Sequence, residues 1–140
     1  MMSRTSKRFL IRPRMAELEL LMPEIVSLLA EHHLPPRLRH DVEAVIEEVV
    51  TNVVRHGGDG TTFIRIAIGI SNGGILLEFG DDARPFDPTI HEDHGNKAST
   101  LAELPIGGLG LGMIRRAADT MHYERCGETN AFTVQLRRDG

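Results

Sequence analysis

Between residues 37 and 56 the chain carries an apolar stripe that fits one long helix. Leu38, Val42, Val45, Ile46, Val49, Val50 and Val53 recur at three- and four-residue spacing and fall on one side of it. Glu48, Asn52 and His56 follow at intervals of four and stack as a single polar line. That line runs between Val45, Val49 and Val53 on one side and Val50 and Val54 on the other. Residues so placed sit at the margin of a core, where polar groups need a reason.

The remaining elements supply a sheet and two more helices. Residues 8–12 read as a short strand closed by Pro13, and an amphipathic helix runs from Arg14 to about His33. Pro35-Pro36 opens the long helix, and Gly57-Gly58-Asp59-Gly60 stops it. Two β-rich runs, 61–70 and 74–80, flank Ser71-Asn72-Gly73, where Asn-Gly is a hairpin signal. Residues 81–107 show no periodicity, and a connection of that length is more often functional than accidental. A helix over 108–120 leaves a glycine cluster, and strands at 121–126 and 131–138 enclose a turn at 127–130. The order β-α-α-β-β-loop-α-β-β predicts a single domain over 1–140, an α/β (α+β) two-layer sandwich. Its sheet is expected to be mixed but mostly antiparallel, with the helices on one face.

Composition removes several function classes. Sixteen basic against twenty acidic residues leave a net charge of -4, which argues against a dedicated nucleic-acid binder. Fourteen of the sixteen basic residues are Arg, a choice suited to forked contacts with phosphate or carboxylate. The lone Cys126 excludes an internal disulfide and a cysteine metal cluster and fits a reducing, cytoplasmic compartment. No apolar stretch approaches the roughly 20 residues of a membrane span, and the basic start lacks the apolar run of a signal peptide. The seven His do not cluster usefully. His32 and His33 point in different directions on a helix, and His91 and His94 with Glu92 and Asp93 make a poor zinc site. No Ser sits at a strand-to-helix elbow, which disfavours a hydrolytic triad.

Three constellations could carry chemistry. Glu48 and Asn52, one turn apart, could share a hydrated divalent cation, or the Glu could take a proton from a hydroxyl or water. The plain alternative is an exposed face with i,i+4 pairs. Asp81-Asp82-Ala83-Arg84-Pro85-Phe86 follows an apolar strand. An Asp there can accept a hydrogen bond from an exocyclic amino group such as adenine's, or the segment is simply a turn. Gly107-Gly108-Leu109-Gly110-Leu111-Gly112 runs into a helix whose first N–H groups could receive an anion, or it is a hinge. It matches neither the dinucleotide fingerprint nor the P-loop. Arg115 and Arg116 could face phosphate, although basic residues early in a helix oppose its dipole.

Taken together, E-x-x-x-N, D-x-x-x-P-F and G-x-G-x-G in this order resemble the GHKL ATPase superfamily. Within it, TNVVRHG, DDARPFDP and GGLGLGMIRRAAD look like the anti-sigma-factor serine/threonine kinases, the switch-protein kinases. The likeness runs from the first strand to the closing Tyr123…Gly127…Asn130 segment. It implies the Bergerat fold with ATP and magnesium, a homodimer, and phosphoryl transfer to a Ser or Thr of a STAS-type anti-sigma antagonist. A sigma factor is a further implied partner, and no membrane or nucleic acid is involved. Carried over residue by residue, Glu48 matches the general base, Asn52 the magnesium ligand and Asp81 the adenine-reading acid. Gly108, Gly110 and Gly112 match the phosphate-side glycines, flanked by Gly107, Leu109 and Leu111. Residues 91–107 match the mobile ATP lid. Arg55 and His56 fall where the family places polar residues near phosphate, and Pro85 and Phe86 close the second box. That box usually reads D-x-G, and Ala83 at the glycine position puts nucleotide affinity in question. The alternative function is a module that grips a sigma factor or other partner, with nucleotide acting only as a conformational ligand.

Overall fold

Every second residue from position 64 to 70 is an isoleucine, and all four are buried, so this stretch can only be a strand with one face in a core. The computed structural model describes residues 5–90 and 108–138. In chain order it forms β1 (Thr5–Ile11), α1 (Met15–Glu31), α2 (Pro36–His56), β2 (Ile64–Ser71), β3 (Gly74–Asp81), α3 (Gly108–Ala117), β4 (Thr120–Cys126) and β5 (Thr129–Arg137). The expected lid over 91–107, with Gly107, His91 and His94, lies outside the described residues.

The five strands make one sheet in the order β1-β2-β3-β5-β4, and all four pairings among the described residues are antiparallel. No parallel pair of a mixed sheet is present among them. Ile66 faces Phe79, which faces Phe132, and Ile68 faces Leu77, which faces Val134. These rows form one face of the sheet and join a core with Leu18, Ile25 and Leu29 of α1 and Val42, Val45 and Ile46 of α2. The helices thus cover one face, as the sequence order requires. Arg65 and Glu78 stand exposed on the other.

Element ends differ from the sequence reading where tertiary pairing overrides local pattern. β1 starts at Thr5 rather than Arg8, because this edge strand pairs with β2 along its whole length despite opening on four polar residues. α1 stops at Glu31, with His33 in the left-handed region at φ 52°. The His32 ring is spent on structure: its Nδ1–H donates to the Leu28 carbonyl (2.9 Å), and its Nε2 accepts from the Thr5 hydroxyl (3.1 Å). α3 ends at Ala117, short of residue 120, because the Asp119 N–H already donates to the Gln135 carbonyl of β5 (2.8 Å). The turn expected at 127–130 shrinks to Gly127-Glu128, with Gly127 at φ 63° and Cys126 facing Thr129. This moves Thr129 and Asn130 into β5.

The Asn72-Gly73 hairpin forms as expected, with Ser71 facing Gly74. Gly74 has φ 144°, and a Cβ there would lie 2.2 Å from the Leu136 carbonyl oxygen. Gly74→Ala is therefore expected to cost on the order of 2–3 kcal/mol. Gly73→Ala, whose Cβ would meet nothing closer than the Ser71 hydroxyl at 4.0 Å, should be nearly neutral. Urea midpoints of the two variants compared with wild type check this.

Candidate functional site

At one end of the sheet the register sets Ile11, Ile64, Asp81, Asn130 and Arg125 side by side across all five strands. The first two are apolar and the last three polar, so the core gives way to a polar corner within a single row. Asp81 and Asn130 are both only 6 % exposed. Buried polar groups at such a place must be satisfied or kept for a ligand. Asp81 Oδ1 accepts from Asn130 Nδ2 (2.8 Å) and from the Ala83 N–H (3.0 Å). Both bonds fall on one oxygen, Oδ1, and the residue lines the adjoining cleft.

Burial pushes the Asp81 carboxyl above its ordinary pKa, partly offset by the bonds from Asn130 and Ala83. Its neighbour Asp82 points the other way, as strand alternation demands. Asp82 takes the Thr62 N–H (2.8 Å), the Phe63 N–H (3.1 Å) and the Thr62 hydroxyl. Desolvation pushes Asp82 upward, but these donors outweigh it and hold the carboxyl below the usual value. They also explain why β2 begins at Ile64: residues 62 and 63 pair with a side chain instead of a strand. Of the two adjacent acids, one is a buried acceptor and the other a tie between strand ends.

Asp81 opens on a cleft of about 510 Å³, a figure that includes open solvent at its mouth. Phe79 and Phe132, with ring centroids 6.3 Å apart, lie along it on the sheet side, and Ile114 of α3 and Phe86 also line it. α2 contributes Asn52, buried at 7 % exposure, and His56 at the rim. Helical spacing lets Asn52 reach the cleft while Val49 and Val53 pack around it.

The sequence-derived candidates divide accordingly. Asn52, His56, Asp81, Ala83 and Phe86 come together on one cleft. Glu48 sits half-buried one turn before Asn52 and is not among the residues lining it. Arg55 and Pro85 are exposed and also outside the lining. Gly108, Leu109, Gly110, Leu111 and Gly112 form the first half of α3, and Gly112 is buried. Three glycines in a ten-residue helix cost about 1 kcal/mol each against Ala, so their place there is not explained by helix propensity. Arg115 reaches the Pro88 carbonyl (3.5 Å) and ties α3 to the segment after β3.

Ala83 is 4 % exposed, and a Cβ on Gly57 would lie 3.0 Å from its methyl. The glycine that stops α2 therefore leaves the room that Ala83 uses. Three residues at the site were not among the sequence-derived site candidates: Asn130 and Tyr123, which entered only as the end of the family likeness, and Arg125. The Tyr123 hydroxyl donates to Asn130 Oδ1, and Arg125 Nη1 donates to Asn130 Oδ1 (3.2 Å) and the Ala83 carbonyl (2.7 Å). Reading Gly127-Glu128 as a two-residue hairpin would have placed Asn130 in a strand, opposite Arg125.

Among the described residues, no group of three or more His, Cys, Asp or Glu could hold a metal, and no helix is long and apolar enough to cross a membrane. Comparison with known proteins agrees with this architecture. A SiaB–SiaC complex from Pseudomonas aeruginosa aligns with TM-score 0.65 at 17 % identity, over 93 % of this chain and 88 % of that one. The histidine kinase domain of a blue-light activated histidine kinase from Erythrobacter litoralis aligns with TM-score 0.51 at 13 % identity. That match covers 75 % of this chain, which spans 46 % of the kinase chain. No curated protein matches the sequence. The model of the histidine kinase-like ATPase domain matches residues 11–137, and the chain belongs to that family.

Proposed function

We propose that this chain is an ATP- and magnesium-dependent serine/threonine protein kinase of the anti-sigma, partner-switching type. It would transfer a phosphoryl group from ATP to a Ser or Thr of a STAS-type anti-sigma antagonist. One observation carries the reading: the buried carboxylate of Asp81, from the sheet, and the buried carboxamide of Asn52, from α2, line the same cleft.

In this reading Asp81 accepts the adenine amino group through Oδ2, and the first N–H groups of α3 receive phosphate oxygens. A single neutral oxygen donor from the protein suits magnesium, which keeps several waters and takes its other ligands from phosphates. Asn52 would hold that ion, and the ion when bound would offset charge on the phosphoryl oxygens. Glu48, one turn before Asn52, takes the proton of the incoming hydroxyl. Ala83 leaves the pocket usable because its methyl packs beside Gly57.

The SiaB–SiaC structure is that of a complex. A partner protein for this chain, its homodimerisation, a cytoplasmic location and contact with a sigma factor belong to the proposal. The test is to incubate the chain with magnesium, ATP labelled on the γ-phosphate and each STAS-like protein encoded near its gene. The expected result is label on one of them. No transfer to any, together with tight and nucleotide-dependent binding of a sigma factor, would replace this reading by that of a binding module.

A further inference from the structure

The amide of Asn130 has only one orientation open to it. Arg125 cannot accept a hydrogen bond, so the atom 3.2 Å from its Nη1 must be the amide oxygen. Asn130 Oδ1 also takes the Tyr123 hydroxyl. Nδ2 is thereby turned toward three acceptors: Asp81 Oδ1 (2.8 Å), the Arg84 carbonyl (3.0 Å) and the Ala83 carbonyl (3.3 Å). A directional chain results, running from Arg125 and Tyr123 on β4 through Asn130 on β5 to Asp81 on β3. Each member fixes the next, and the last one faces the cleft.

We propose that Asn130 is a positioning residue that sets the base selectivity of the cleft by holding the Asp81 carboxylate against the six-position of a bound purine. The choice of a purine ligand rests on the ATP reading above. A carboxylate held there attracts a six-amino group and repels a six-oxo group, so one constraint both favours adenine and rejects hypoxanthine. Released from Asn130, Asp81 keeps only the Ala83 N–H and can turn away. Adenine then loses an acceptor and hypoxanthine loses a repulsion, and the two affinities converge.

The test compares MgATP with MgITP by calorimetry on the full chain. The two nucleotides share the sugar and phosphates and differ at the six-position and its adjacent ring nitrogen. For wild type, ATP is expected to bind at least about 30-fold more tightly, the worth of roughly one charge-assisted contact. Asn130→Ala should lower the ATP/ITP ratio by about 10-fold, and Tyr123→Phe by an intermediate factor because Arg125 still holds the amide oxygen. A merely structural role would weaken both nucleotides in parallel and leave the ratio alone. Tyr123→Phe keeps the test open should Asn130→Ala fold poorly, and thermal melting without nucleotide reports folding for both. A ratio unchanged within about twofold in the folded variants overturns this inference alone. A wild-type chain that binds neither nucleotide overturns it together with the ATP reading.

Discussion

Asp81→Asn is expected to weaken MgATP binding about 100-fold while leaving the nucleotide-free chain at least as stable as wild type at neutral pH. The asymmetry follows from where the bonds fall. Oδ1 accepts from both Asn130 Nδ2 and the Ala83 N–H, and an amide oxygen can take the same two bonds. Those two donors therefore hold the new amide with its oxygen inward, and its NH₂ replaces Oδ2 in the cleft. A donor then opposes the adenine amino group, and a charge-assisted hydrogen bond is lost as well. For stability the sign runs the other way. Burial raises the Asp81 pKa above its ordinary 3.8, so the folded state binds this proton more readily than the unfolded chain does. Stability from this group is full below about pH 4 and declines as pH rises through the raised value. Asn carries no charge and escapes that decline. Urea unfolding from pH 4 to pH 8 should show the variant gaining on wild type with rising pH, then levelling off. A variant that binds ATP as wild type does, or that loses stability as pH rises, contradicts the assignment.

Glu48→Gln separates chemistry from binding. Gln keeps the size and hydrogen-bonding reach of Glu but cannot take a proton at neutral pH. Because Glu48 does not line the cleft, ATP affinity should stay within about threefold of wild type. Phosphoryl transfer to the antagonist should fall by roughly 10²–10⁴, the usual worth of general-base catalysis. A loose transition state asks less of a base, which places the expected loss toward the lower end. Asn52→Ala should behave differently, because Asn52 is buried and lines the cleft: ATP retention and transfer drop together. Single-turnover transfer rates and ATP dissociation constants for the two variants give the comparison. Transfer at the wild-type rate by Glu48→Gln removes Glu48 from the mechanism.

The parts of this molecule legible in the sequence are those set by short-range pattern. The alternating isoleucines of β2, the heptad-like stripe of α2 and the Asn72-Gly73 turn each announce their element. The polar line Glu48-Asn52-His56 was legible too, yet its three members differ in depth. Asn52 is buried, Glu48 half-buried and His56 exposed. What the sequence hid depends on register. Asp81 and Asp82 are chemically alike and adjacent, and only strand alternation sends one into the cleft and the other to Thr62 and Phe63. Asn130 lies 49 positions from Asp81 along the chain, and their contact depends on the long-range register of β5 against β3, which no local turn announces. The surroundings of Ala83 are likewise set at long range, by Gly57 at the end of α2.

The central claim is that the cleft between α2 and the sheet takes an adenine nucleotide on Asp81. Calorimetric titration of the full chain with MgATP, repeated on Asp81→Asn, tests it most directly. The account predicts saturable one-to-one binding per chain by wild type and binding weakened about 100-fold by the variant. Absence of heat and of competition by ATP for a fluorescent adenine nucleotide, with wild type folded and magnesium present, would contradict it.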